Sequence, residues 1–300
     1  MKLYIADAFT DTLFGGNPAG VVILDPGADF PEDELMRKTA AELRYSETAF
    51  IKKLAPEGDG HIPTFNIRYF TPADEVDLCG HATIASFHCL KKAGLITAGD
   101  TCKNYTLAGE IYVQVGEDNI LMDMATPEHL GTIDDPDALN ELYSIMGLEY
   151  ESAKAVSSDD RALLPQMIST GLPDIMMPVA NRELLAAISP DFAALTELSR
   201  KYNVVGVHAF TLEGDDAMAH CRNFAPLYDI DEEAATGTSN GALTYYLLYN
   251  GIISSGETAD STFIQGEAMG RPSVITSRCT GESIKVGGGA VILVEGEIAL

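Results

Sequence analysis

The sequence predicts an α+β fold written twice, two homologous domains that each wrap a curved, barrel-like mixed β-sheet around one buried helix. Three observations predict it. Short motifs recur in the same order at a nearly constant spacing, two helix-length segments are apolar on every side, and short strand-like runs broken by glycine surround both.

The recurrence runs the length of the chain. Gly16-Asn17-Pro18 returns as Gly171-Leu172-Pro173, an offset of 155, and the proline-opened helix start at Pro31 returns at Pro190, an offset of 159. Arg68-Tyr69-Phe70-Thr71-Pro72 matches Arg222-Asn223-Phe224-Ala225-Pro226 at 154. Cys79-Gly80-His81 then matches Thr236-Gly237-Thr238 at 157, as does Gly109-Glu110 with Gly266-Glu267. Each half therefore reads strand, turn, helix, strand, strand, helix, then several short strands.

The helix expected from His81 to Ala93 carries Ala82, Ile84, Ala85, Phe87, Cys89 and Leu90, which point almost all round, and Gly94 suits its end. The one expected from Ser239 to Tyr249 has the same character. Helices of this kind are core elements. The glycine turn before each presents unpaired N–H groups that suit a carboxylate, and the expected place for a small molecule is the cleft between the two domains.

The strand-like stretch Arg44 to Ile51 places Glu47 on the same face as Tyr45, Ala49 and Ile51. Aligning Ala49-Phe50 with Ala209-Phe210 sets Val207 in the second half against Glu47. An apolar residue in the copy means that the scaffold does not require an acid there, so Glu47 is the candidate general acid–base group.

Composition removes several function classes. Nineteen basic residues against 45 acidic ones give a net charge of −26, which repels nucleic-acid backbones and anionic membrane surfaces. No apolar run has the length of a membrane span, and the start turns acidic too early for a signal peptide, so the expected location is cytoplasmic. Five scattered cysteines without a CxxC pair argue against a disulfide framework and a structural zinc site. His81 and His88 lie seven residues apart on one helix, about 10 Å, too far to share an ion, so no metal is expected. Gly287-Gly288-Gly289 precedes a strand instead of a helix and reads as a bend, not a nucleotide-binding turn.

Seven stretches together resemble the PhzF-like phenazine-biosynthesis isomerase family, within the diaminopimelate epimerase fold. They are Gly16 to Val22, Ser46 to Phe50, Arg68 to Pro72, Cys79 to Thr83, Ser169 to Pro173, Ala235 to Gly241 and Met269 to Ser273, in family order and end to end. The resemblance implies a cofactor-free isomerase in which Glu47 moves a proton between carbons of a small carboxylate-bearing substrate. It also implies that His81 assists, that Asn17 and the amides around Gly80 and Gly237 hold the carboxylate or ring substituents, and that the protein is a homodimer. The last strand is expected to rejoin the first domain. That gives residues 1–126 with 286–300 as one domain, carrying Glu47 and the Cys79-Gly80-His81 turn, and 127–285 as the other, carrying the Thr236-Gly237-Thr238 turn.

Two positions depart from the phenazine-making members. Glu233 is one methylene longer than their aspartate and Thr238 replaces their serine, so the pocket's second half is reshaped and the substrate is left open. Two other readings stay beside the isomerase. One is a racemase- or epimerase-like enzyme using Cys79, although Thr236 occupies the place of a second cysteine and a threonine hydroxyl is no base near neutral pH unless activated. The other is a non-catalytic binder of small carboxylates.

Overall fold

The computed structural model describes residues 1–56, 60–157, 160–254, 259–281 and 283–300. The chain divides into two units, Met1–Asp123 with Gly287–Leu300, and Met124–Val286. Among the described residues no helix is long and apolar enough to cross a membrane.

The first unit opens with β1 (Lys2–Ala8), β2 (Asn17–Ile23), α1 (Asp33–Leu43), β3 (Thr48–Lys53), β4 (Thr64–Phe70) and β5 (Glu75–Val76). Then come α2 (Gly80–Lys92), β6 (Thr101–Thr106), β7 (Gly109–Val115) and β8 (Ile120–Asp123). In the second unit the order is β9 (Glu128–Thr132), α3 (Pro136–Ile145), α4 (Tyr150–Ala153), β10 (Gln166–Ser169), β11 (Pro173–Pro178), α5 (Arg182–Ala187), α6 (Phe192–Tyr202) and β12 (Val207–Thr211). It continues with β13 (Ala219–Ala225), β14 (Ile230–Glu233), α7 (Gly237–Tyr249), β15 (Ala259–Gln265), β16 (Ser273–Thr280) and β17 (Ser283–Gly288), before β18 (Ala290–Glu297) returns the chain to the first unit.

In the first unit the strands are hydrogen-bonded in the order β18, β1, β2, β3, β4, β6, β7, β8, with β5 on β4; β2–β3 and β4–β6 are parallel and the rest antiparallel. Helix α2 touches β18 and β8, the two ends of this ribbon, as well as β1, β2 and β3, so the sheet curls around it. Every α2 residue from His81 to Phe87 is buried. Full burial of one Phe side chain contributes about 1.5–3 kcal/mol, and Phe87 meets Phe65 edge-to-face at 5.8 Å, so this packing anchors the unit. Helix α1 covers the outer face, with Met36 and Ala40 against Val22, Phe50 and Phe70.

The second unit repeats the plan. Its order is β9, β10, β11, β12, β13, β15, β16 with β14 on β13, and again two pairs are parallel, β11–β12 and β13–β15. Helix α7 lies against β10, β11 and β16. Helices α1 and α6 are both 11 residues long and both end in a left-handed residue, Arg44 at φ 63° and Asn203 at φ 55°. The second unit adds α3, α4 and α5, whose Leu139, Leu142, Ala153 and Leu185 join one apolar cluster with Leu195 and Leu198 of α6.

The ladders correct one expectation about Glu47. Arg44 terminates α1 and β3 begins only at Thr48, so residues 44–47 form the turn into the strand and Glu47 stands at its mouth. The register also moves its counterpart. Thr48 pairs with Phe70 as Val207 pairs with Phe224, and Glu47 O accepts from Gly20 N as Gly206 O accepts from Ile175 N. Val207 is thus the copy of Thr48, and Gly206 the copy of Glu47. A Cβ at Gly206 would lie 1.8 Å from Phe224 O, so the second unit admits no side chain where the first carries its acid.

Candidate active site

The first-unit site is built where the mouth of β3 meets the start of α2. Cys79 is the N-cap residue of α2 in extended conformation (φ −135°, ψ 119°), followed by Gly80 and His81 in the first turn. Beneath them the Thr83 hydroxyl returns to Cys79 O at 2.7 Å and meets Tyr69 Oη at 2.7 Å, which in turn accepts from Asn104 Nδ2 at 3.3 Å. Burial pushes the Tyr69 phenol far above its ordinary range, so it serves this network as a neutral hydroxyl. The turn is held from below by a buried polar chain.

Three side chains meet above that turn. His81 Nε2 lies 3.3 Å from Glu47 Oε2, while Cys79 Sγ is 3.3 Å from His81 Nδ1 and 3.9 Å from Nε2. Ser46 Oγ is 3.4 Å from the same Nε2. The His81–Glu47 contact has ion-pair distance without hydrogen-bond geometry, so Oε2 is enclosed with no hydrogen-bond donor, although the Glu47 side chain as a whole is 15% exposed. An enclosed carboxylate oxygen without a donor costs stability. Asn17 begins β2, buried, across from Ala8 of β1.

The second unit places Glu233, Gly237 and Thr238 around the equivalent turn. Thr236 caps α7 with nearly the backbone of Cys79 (φ −128°, ψ 103°), and Asn240 Nδ2 returns to Thr236 O as Thr83 does to Cys79 O. The Thr236 hydroxyl donates to Glu233 Oε2 at 2.7 Å, and Thr170 Oγ1 donates to Thr238 O at 2.9 Å. No sequence argument singled out Gln265. Its Nε2 donates to Glu233 O at 2.7 Å and to Thr236 Oγ1 at 3.1 Å, and its Oε1 accepts from Thr236 N and Asn240 Nδ2. Both donors and both lone pairs are used, which fixes the amide and through it the Glu233 carboxylate. The signal was its place directly before the repeated Gly266-Glu267.

Behind this turn lies a second set that the sequence did not disclose. Asn223 Nδ2 donates to Ser239 Oγ at 3.1 Å, and Ser239 Oγ donates to Asp174 Oδ2 at 2.5 Å. His208 Nδ1 is 3.3 Å from the same Asn223 nitrogen. Desolvation raises the Asp174 carboxyl to about 6, against the opposing pull of its Ser239 hydrogen bond, and lowers His208 to about 3.

The two units also share an arginine clamp that explains the R-x-F motif. Arg68 grips Glu75 with Nε at 2.7 Å and an η nitrogen at 2.5 Å, and Arg222 grips Glu232 with both contacts at 2.8 Å. Each guanidinium sits over the phenylalanine two residues on, at 5.1 Å for Phe70 and 4.9 Å for Phe224.

Comparison with known proteins agrees with this architecture. A family model described as "Phenazine biosynthesis-like protein" matches residues 6–296. An uncharacterized isomerase of Deinococcus radiodurans is 36% identical, with 96% of this chain and 92% of the relative covered. The crystal structure of a PhzF-family phenazine biosynthesis protein from Bacillus anthracis superposes with a TM-score of 0.83 at 25% identity, covering 100% of this chain and 99% of the other. A hydroxyproline epimerase from Agrobacterium vitis shares the fold at a TM-score of 0.60 and 14% identity, covering 100% and 92%. With the model match spanning nearly the whole chain and the duplicated sheet-around-helix plan in place, the protein belongs to the phenazine biosynthesis-like (PhzF) family.

Proposed function

We propose that the protein is an isomerase that moves a proton between carbons of a small carboxylate-bearing metabolite without a cofactor, with Glu47 as the single general acid–base group. One observation carries this reading: Glu47 Oε2 is enclosed, lacks a hydrogen-bond donor and sits 3.3 Å from an imidazole nitrogen. A lone pair kept free in this way can take a proton from carbon, whereas a structural carboxylate would be hydrogen-bonded. In this reading His81 stabilises the negative charge that develops on the substrate as the proton leaves carbon. In the first unit Gly80, at the start of α2, offers an amide to a carboxylate and Asn17 a polar side chain; in the second, Gly237, at the start of α7, and Thr238 offer the same kinds of group. Glu233, fixed by Gln265 and Thr236, would steady the developing charge. A homodimer working in the cytoplasm completes the proposal.

The Cys79–His81 contact of 3.3 Å favours one other reading, a thiol base as in an epimerase. A screen of cyclic and amino-acid carboxylates in deuterated water, with carbon-bound hydrogen followed by NMR, separates the two. Exchange should fall about 10²- to 10⁴-fold in Glu47→Gln and persist in Cys79→Ser. The reverse pattern would establish the thiol base, and ligand binding without exchange would leave a non-catalytic binder.

A further inference from the structure

The proton-transfer reading uses Glu47 and His81 but gives no role to the thiol beside them. Glu47, Cys79 and His81 can each offer one ligand atom, a carboxylate oxygen, the thiol sulfur and a ring nitrogen, and these lie within 4.8 Å of one another. Among the described residues this is the only group of three such donors. We propose that the trio is a binding site for a borderline divalent cation, Zn²⁺ above all, and that its capture switches the enzyme off. The inhibition rests on the acid–base role of Glu47, while the binding does not.

The distances support the site. Tetrahedral zinc with bonds of about 2.0 Å to oxygen and nitrogen and about 2.3 Å to sulfur places its donors about 3.3–3.6 Å apart. Oε2 and Nε2 are already at that spacing, 3.3 Å apart, while Sγ, 3.3 Å from Nδ1 and 3.9 Å from Nε2, reaches an ion held by the other two by rotation about the Cys79 Cα–Cβ bond. Two of the donors flank the first turn of a buried helix, which keeps the cost of ordering them low.

The chemistry selects the cation. Sulfur and imidazole ligands suit Zn²⁺ and Co²⁺ and do not suit Mg²⁺ or Ca²⁺, which demand oxygen. Charge balances as well: the thiol releases its proton to solvent as the metal–sulfur bond forms, and one thiolate with one carboxylate neutralises the dication in an enclosed place. Three protein ligands leave a fourth position for water. The chain's net charge of −26 raises the local concentration of cations. The metal would occupy the lone pair with which Glu47 takes its proton. At the equivalent turn of the second unit, Thr236 and Thr238 stand where Cys79 and His81 stand here, so only one ion per chain is expected from this device.

Calorimetry with Zn²⁺ and optical titration with Co²⁺ test the site without any substrate. One Zn²⁺ per chain is expected, and Co²⁺ should give a near-ultraviolet thiolate-to-metal absorption band. Cys79→Ser should abolish the band and weaken Zn²⁺ binding more than about 100-fold, beyond the loss typical when only a residue hydrogen-bonded to a ligand is changed. Glu47→Gln should weaken binding and keep the band, and His88→Ala should change neither, with circular dichroism matching wild type throughout. Absence of stoichiometric uptake, or a band that survives Cys79→Ser, would overturn the site. Metal uptake as described with no deuterium exchange on any carboxylate would leave the site standing and remove the isomerase. Exchange unaffected by saturating Zn²⁺ would remove the inhibition.

Discussion

Asp174 and His208 show how much a single buried residue can record. Both are fully buried and both touch Asn223, yet burial moves them in opposite directions, the carboxyl up from 3.8 to about 6 and the imidazole down from 6.5 to about 3. For Asp174 the folded value lies above the unfolded one, so its contribution to stability is full below pH 3.8 and is lost as pH rises through 6. For His208 the folded value is depressed, so its contribution is full above pH 6.5 and is lost as pH falls toward 3. In wild type the two slopes oppose each other between pH 4 and 6. Between pH 7 and pH 4, Asp174→Asn should lose about 2 kcal/mol relative to wild type, and His208→Asn should gain about 3 kcal/mol, apart from any pH-independent offset. Urea unfolding at four pH values reads both, and profiles parallel to wild type would show that neither group titrates as its burial dictates.

At the scale of elements, the repeat was legible in the sequence because it is carried by residues with one job each. Arg68 and Arg222 must reach a carboxylate and cover a phenylalanine, and both kept their letters. The register of β3 against β12 was not legible, because Ala49-Phe50 and Ala209-Phe210 match by coincidence of small and aromatic core residues, while the hydrogen-bond ladder sets the true offset one residue away. Glu47 is singled out in the sequence by its strand context, but the enclosed oxygen without a donor beside His81 Nε2 is a feature that no spacing of letters shows. Helix α3 was not among the elements expected, although Asp135 before Pro136 is a cap signal, with Asp135 Oδ1 accepting from Asp137 N and Ala138 N. The arginine clamps differ in one respect that can be measured. Arg68 extends to Asp33 at the start of α1, whereas Arg222 donates to the carbonyls of Leu185, Ala186 and Ile188, closing the end of the six-residue α5. A lysine cannot make the fork and those carbonyl bonds together. Arg222→Lys should therefore cost about 2–3 kcal/mol and Arg68→Lys about 1–2 kcal/mol in urea unfolding, since hydrogen bonds to charged groups contribute about 1.5–3 kcal/mol and the exposed arm to Asp33 contributes little. Equal costs would refute the capping role of Arg222.

For the molecule as a whole, the path of the chain matters more than the count of its elements. The second unit is continuous in sequence, but the first is completed only by residues after it, because β1 lies between β2 and β18. Removing the C-terminal segment would strip β1 of its ladder from Lys2↔Glu297 to Ala8↔Ala290, and Phe9 N of its bond to Gly289 O. It would also take Ile298 and Leu300 from the apolar cluster that seats α1. A strand left at the edge with unpaired amides invites aggregation. Fragment 1–123 should therefore show no cooperative thermal transition and should aggregate, and adding a peptide of residues 287–300 should restore a cooperative transition with a concentration-dependent midpoint. Fragment 124–286, which keeps α7 with β10, β11 and β16 and the cluster beneath α6, should unfold cooperatively without any partner. Circular dichroism of the three samples decides the matter. If 1–123 folds alone, the returning strand is dispensable; if neither unit folds without the other, the duplicated halves have lost the independence that their separate cores imply.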